Sequence, residues 1–335
     1  MTLFGPRAVI ASSVRTARRI DRIAIAAPDD FVVCGRHRIA REQAADVAPL
    51  PYCLDIPRGR ALYVGGVDIH GAQTAPFYYL HLRRSARCVV SAPWEALPLN
   101  GADRSAPIFL FSPGRCGSTL VSRLLSAAGA PNVSEPDYYT QATSAVCASR
   151  FNPWRERVRQ VVAAMGSDLA AALGAAQPPV VKLRAESCRA PDLLVAPTER
   201  RTLFMTRDFE SWARSNARAF RNPAAKSVRK FLTALRCAAW LRANSDCLVL
   251  AYDDLMADPS GVAAGLGRFL GREIPATAVL STMKEDSQDD TPLRKGGRVD
   301  RPGWERQFDE TMALWNSAKV GTLRDRLAAG EGRAG

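Results

Sequence analysis

The stretch Phe109-Leu-Phe-Ser-Pro-Gly-Arg-Cys-Gly-Ser-Thr-Leu120 constrains this chain more than any other. A short apolar run, Pro107–Phe111, ends at Ser-Pro-Gly, and a helical pattern starts at Ser118 and runs to Ala128. Gly114 and Gly117 let the backbone approach a ligand and turn several N–H groups inward. The helix that follows directs its positive end at the same place, which makes an anion site. Arg115 adds a fixed cation, and Ser118 and Thr119 add hydroxyl donors. The loop is therefore built to hold a terminal phosphate-like group. A nucleotide-kinase loop, GxxxxGK[ST], needs a lysine after its second glycine, and Ser118 stands there instead.

The chain around this loop alternates strands with helices. Pro179–Leu183, Arg201–Met205 and Cys247–Tyr252 have the short apolar runs of strands. Trp154–Ala176 is helical by the spacing of Val158, Val161, Val162, Met165 and Leu169. Glu210–Phe220 and Ala224–Ala243 read as helices, and Asp258 reads as an N-cap before Pro259, opening a helix to Leu270. Such alternation implies an α/β fold, a parallel sheet with helices on both faces that binds ligands at the carboxyl ends of its strands. Before Asn100 the pattern differs. Short apolar stretches at Phe31–Cys34, Arg60–Gly65, Phe77–Leu82 and Cys88–Ser91, broken by turn residues, predict a small β-rich region over 30–100. Residues 1–29 and 329–335 read as flexible ends, Leu97–Ala106 as a linker, and 101–328 as the main domain.

The net charge of +13 favours anionic partners such as nucleotides or acidic glycans, although an arginine-rich surface accounts for it equally well. Only six of the 46 basic residues are lysines, so a lysine at a motif position is worth notice. The eight cysteines sit singly with no CxxC pair, which suits free thiols in a cytoplasm. No apolar run approaches a membrane span. Met1–Ile20 is arginine-rich but lacks the apolar core of a secretory signal, and reads as a frayed terminus. Cys34-x-x-His37 has no second pair to complete a metal site, and no metal is expected.

Pro113–Leu120 resembles the 5′-phosphosulfate loop of the sulfotransferases that use 3′-phosphoadenosine 5′-phosphosulfate (PAPS). Three later segments resemble the same family in the same order. Arg207 and Ser215, eight positions apart, resemble its 3′-phosphate pair; a guanidinium with a neutral donor is sensible chemistry for a ribose phosphate. Leu248-Val-Leu-Ala-Tyr-Asp-Asp-Leu255 is similar to its strand and acidic turn, a structural segment. Leu293-Arg-Lys-Gly296, with Gly303, Trp304 and Phe308, resembles its Arg-Lys-Gly segment, at a departing spacing. The resemblance covers Pro107–Phe308 and implies a P-loop-type α/β fold with PAPS as sulfuryl donor. It implies that Gly114, Arg115, Cys116, Gly117, Ser118 and Thr119 hold the 5′-phosphosulfate, with Arg115 near the transferring group, and that Arg207, Ser215, Arg294, Lys295 and Gly296 hold the 3′-phosphate.

A hydroxyl acceptor must lose a proton to a base. Many cytosolic members use a histidine after the second strand; here that stretch is Val180-Val-Lys-Leu-Arg184, and all three histidines, His37, His70 and His81, precede the loop. Glu135, in Asn-Val-Ser-Glu-Pro136, is the expected base. The resemblance is then closer to bacterial trehalose-sulfating enzymes, which have a glutamate in a similar place. Glu186 is second. Lys182 falls where the family keeps an active-site lysine, able to stabilise the bridging oxygen. Two alternatives stay open: a P-loop kinase or nucleotidase, which predicts ATP and Mg²⁺, and a non-catalytic protein binding nucleotide or acidic glycan. The acceptor is not legible, although Phe77-Tyr78-Tyr79 and Trp94 are candidates for its pocket or for core. No specific nucleic acid partner is expected. The oligomeric state, a homodimer included, is open.

Overall fold

The computed structural model describes residues 7–20, 24–99, 106–148, 153–195, 201–284 and 302–328. Its elements run β1 (Val9–Ala17), β2 (Phe31–Ile39), α1 (Arg41–Val47), β3 (Leu50–Asp55), β4 (Arg60–Gly65), α2 (Ile69–Thr74), α3 (Tyr78–Ser85) and β5 (Cys88–Pro93). There follow β6 (Ile108–Phe111), α4 (Ser118–Ala127), β7 (Asn132–Ser134), α5 (Asp137–Cys147), α6 (Arg155–Ala172), β8 (Val180–Lys182), α7 (Pro191–Leu194) and β9 (Arg201–Thr206). The last are α8 (Phe209–Ala219), α9 (Ala224–Asn244), β10 (Asp246–Ala251), α10 (Tyr252–Ala257), α11 (Pro259–Leu270), α12 (Ala276–Lys284), α13 (Trp304–Trp315) and α14 (Ala318–Ala328). The strands form two sheets, an antiparallel one in the order β2-β1-β5-β4-β3 and a second in the order β10-β9-β6-β8-β7. In the second, β10 with β9, β6 with β9, and β7 with β8 pair in parallel. The α/β class and the β-rich beginning are as the sequence predicts. Among the described residues no helix is long and apolar enough to cross a membrane.

The chain forms two compact units, and each is built from two separated segments. The first takes Met1–Ile108 with Gly129–Leu183, the second Phe109–Ala128 with Arg184–Gly335. These bounds differ from a boundary at residue 100. In the first unit α5 and α6 pack on β3. The Gln141 side chain takes the N–H of Leu54 at 2.7 Å and donates to Ala26 O at 2.8 Å, while Tyr63 Oη donates to Asp168 at 2.7 Å. Tyr63 is fully buried, and burial pushes its phenol well up, so it stays a donor.

Two expectations for the N-terminal region change. Residues 9–17 are a strand, pairing with β2 and β5, within the segment read as a flexible end. The chain after it is clamped. The fully buried Arg83 donates to the carbonyls of Arg19 and Ala24, and pairs with buried Asp30 at 3.2 Å. Phe77–Leu82, read as strand, is helix α3. Tyr78, Tyr79, Leu80 and Leu82 are all buried, and a short run apolar on every side carries no period to separate the two.

In the second unit, α8, α9 and α13 enclose an aromatic core of Phe209, Trp212, Phe231 and Trp315. The rings of Phe209 and Trp315 stack with centroids 3.7 Å apart. Each such ring buried from water contributes on the order of 4–6 kcal/mol as an upper bound. Asp258 caps α11 as read, accepting from Gly261 N at 2.8 Å with Pro259 in the first turn.

Candidate functional site

The glycine loop lies in the second unit, between β6 and α4. Three of its residues take left-handed backbone: Gly114 (φ 73°), Arg115 (φ 59°) and Gly117 (φ 84°). Arg115 is one of the few residues other than glycine to do so, a strain that persists only where the surroundings impose it. Gly117 is the N-cap of α4, with no side chain among the described residues bonded to the cap, so the helix presents its first N–H groups to the loop. A Cβ at Gly117 would come within 2.5 Å of the Tyr252 ring, so this position accepts only glycine.

Several side chains shape the loop. Ser112 Oγ accepts from Gly114 N at 3.2 Å and lies 3.4 Å from Ser118 Oγ. Cys116, fully buried, donates to Met205 O at 3.4 Å, and Cys188 donates to Ser112 O at 3.4 Å. Both are anchors rather than reactive thiols. The buried Trp212 donates from Nε1 to Gly114 O at 2.8 Å. Arg115 Nε donates to Ser215 Oγ at 3.2 Å, which puts the guanidinium on the α8 side of the loop.

Arg207 leaves the end of β9 and stacks on Tyr252, its guanidinium carbon 4.3 Å from the ring centroid. Among the described residues its Nε is buried without a hydrogen-bond partner, an orphan donor of the kind an anionic ligand satisfies. Asp208, next in sequence, caps α8 through Ser211 N at 2.8 Å. Burial works upward on its carboxyl, but the bonds from Ser211 and the charge of Arg207 outweigh it and hold Asp208 below the ordinary carboxylate range. It is thus an ionised cap and not a proton acceptor. Loop, Arg207 and Ser215 lie in one unit, with Arg115 bonded to Ser215 and the Tyr252 ring against both Gly117 and Arg207. Arg294, Lys295 and Gly296 lie outside the described residues.

The first unit holds the other predicted pair. Glu135 follows β7 directly, and its N–H donates to Lys182 O at 2.7 Å. Its side chain forms an ion pair with Lys182 Nζ at 2.7 Å, and Nζ also donates to Ser134 Oγ at 3.0 Å. Glu135 too has left-handed backbone (φ 63°). The N-terminal region reaches this pair. Pro76 O accepts from Ser134 Oγ at 2.7 Å, and Lys182 Nζ lies 5.8 Å from the centroid of the Phe77 ring. The Lys182 side chain is 4% exposed and that of Glu135 15%, so the glutamate is the more open of the two to solvent. The ion pair holds the two side chains against each other.

Glu186 is exposed in the turn Ala185–Arg189, and Asp253 and Asp254 are exposed in the first turn of α10. His37 and His70 are exposed, while His81 packs beside Gly71. Tyr78 and Tyr79 are fully buried and Trp94 nearly so, with Arg157 over its ring, which marks all three as core. Sequence reasoning missed Trp212 and Tyr252 and a third residue, Lys230. A Cβ on Gly114 would stand 3.6 Å from Lys230 Nζ. The rarity of lysine was the one available signal for it.

No family model matches the chain, and no curated protein matches it. Among solved structures it is similar to the sulfotransferase domain of the Synechococcus PCC 7002 olefin synthase, at 18% identity over 70% of this chain and 98% of that one, with a TM-score of 0.40. It is also similar to the sulfotransferase domain of the curacin biosynthetic pathway, at 14% identity over 68% and 99% with a TM-score of 0.37. A mouse sulfotransferase complexed with PAP matches at 14% identity over 66% and 89% with a TM-score of 0.36. By these comparisons the chain is similar to sulfotransferases.

Proposed function

We propose that this chain is a sulfotransferase that takes a sulfuryl group from PAPS and places it on an acceptor hydroxyl or amine. The observation that most supports this is the loop itself. Left-handed Gly114, Arg115 and Gly117 precede a helix start that no side chain caps, and Ser118 stands where a kinase needs lysine. Arg207, with its orphan Nε on the Tyr252 ring, suits the second phosphate that distinguishes this donor from other nucleotides. Arg294, Lys295 and Gly296 are proposed for the same phosphate on sequence alone.

In the reaction the acceptor oxygen bonds to sulfur while the bond from sulfur to the bridging oxygen breaks. The electron pair stays on the bridging oxygen, giving adenosine 3′,5′-bisphosphate, and the acceptor proton passes to the Glu135 carboxylate. Enzymes of this kind work by position and charge. The loop N–H groups and Arg115 orient and neutralise the phosphosulfate. Lys182 acts through Glu135, fixing which way its carboxylate faces. No residue here requires a metal for that chemistry. The eight free thiols suit a cytoplasmic protein.

The test is thermal stabilisation by adenosine 3′,5′-bisphosphate against ATP with Mg²⁺, followed by an acceptor screen with labelled PAPS. A shift with the bisphosphate and label transfer to an acceptor are expected. A shift with ATP and Mg²⁺ alone overturns the assignment, and binding with no transfer to any acceptor class points to a non-catalytic protein.

A further inference from the structure

Lys230 is one of six lysines among 46 basic residues, and it reaches the loop from far along the chain. It stands on α9, whose buried face of Ser227, Val228, Phe231, Leu232 and Ala234 is set in the core of the second unit. Ser227 Oγ takes a hydrogen bond from buried Asn216 on α8 at 3.2 Å, so helix position and rotation are fixed from two sides. From this base Lys230 brings its ammonium over Gly114, where a Cβ would lie 3.6 Å from Nζ. The Phe220 ring flanks it, 5.8 Å from Nζ to the centroid. The loop's own cation, Arg115, is meanwhile bonded to Ser215 on α8. Kinase-type loops carry their lysine directly after the second glycine; this chain has Ser118 there and a lysine over the first glycine of the loop instead.

We infer that Lys230 is a substrate-contacting cation that holds the sulfonate end of the donor at the Gly114 side of the loop. This rests on the sulfotransferase reading above. As the sulfur leaves, charge grows on the bridging oxygen, and a fixed ammonium beside it stabilises that charge without giving up its proton. A compact point charge with three donors suits a group that is being passed on, whereas the flat fork of an arginine suits one that is held.

The experiment compares wild type with Lys230→Met and Lys230→Arg. Affinity for PAPS and for adenosine 3′,5′-bisphosphate, which lacks the sulfonate, is measured by calorimetry, with thermal unfolding as the control for folding. Lys230→Met is expected to weaken PAPS by about tenfold or more and the bisphosphate by less than about threefold, with Lys230→Arg recovering part of the loss. Should Lys230→Met lower the unfolding midpoint, Lys230→Gln carries the same comparison. An unchanged ratio of the two affinities, or an equal loss of both ligands, overturns the sulfonate assignment alone. Wild-type protein that binds neither ligand overturns the sulfotransferase reading and this assignment with it.

Discussion

Glu135→Gln tests the ion pair in the first unit most directly. It leaves the Lys182 ammonium, 4% exposed, with Ser134 Oγ at 3.0 Å, the Phe77 ring and a neutral amide. Breaking a buried pair from one side costs about 3–5 kcal/mol. Two features reduce this here: Glu135 is 15% exposed, and glutamine keeps an oxygen that accepts from Nζ. We therefore expect a loss of about 2 kcal/mol, with about 1–2 kcal/mol for Lys182→Met, because the Glu135 side chain is the more exposed of the two. The double variant has neither charge to strand. It should lose about as much as the worse single variant, leaving a coupling of about 1–2 kcal/mol. Urea unfolding of the four proteins gives these values. Losses that add to within about 0.5 kcal/mol would show that the two groups act independently and refute the argument. The same variants separate the roles. Glu135→Gln should cut turnover by about 10²–10⁴ with bisphosphate affinity intact, and near-full turnover would sink Glu135 as the base.

Gly117→Ala puts a Cβ 2.5 Å from Tyr252 at a φ of 84°, so bisphosphate affinity should fall at least about tenfold by calorimetry; unchanged binding would remove the loop from the site. Arg207→Lys keeps the charge but loses the flat stack on Tyr252. It should weaken adenosine 3′,5′-bisphosphate by about 10–100-fold and adenosine 5′-phosphate far less, and an equal loss would deny it the 3′-phosphate. Trp212→Phe strips the donor from Gly114 O and should cost about 1–3 kcal/mol in urea unfolding together with donor affinity; full affinity would show that the loop holds its shape without it.

The parts legible in the sequence are those encoded locally. Asp258 and Pro259 mark the start of α11 because a cap and a first-turn proline act within a few residues. Gly114 and Gly117 announce the loop because their backbone angles are closed to most side chains. What stayed hidden depends on residues brought together from afar. Trp212 reads as core from its neighbours, and its indole N–H gains a role only when Gly114 O is placed 2.8 Å away. Tyr252 belongs to a segment read as structural, yet its ring closes over Gly117 and carries Arg207. Lys230 has no motif around it at all. The Pro76–Phe77 approach to Lys182 was equally invisible, because nothing in the stretch Phe77–Leu82 says which buried cation it will cover.

The interleaving of the two units has a consequence for the order in which the chain can fold as it is made. Domains fold as units during synthesis, earlier segments first. Here the antiparallel sheet, complete by Pro93, must wait for α5 and α6 to cover β3, and for Asp137 and Gln141 to bind Ala26 from both sides. Arg83 and Asp30 are paired early, but Lys182 is the last residue but one of its unit to emerge. The segment Phe109–Ala128, glycine loop included, is made in the middle of this wait and belongs to the unit finished later. A fragment beginning near residue 101 would accordingly carry β7 and β8 without Pro76 and Phe77, and would bring Lys182 to the surface uncovered.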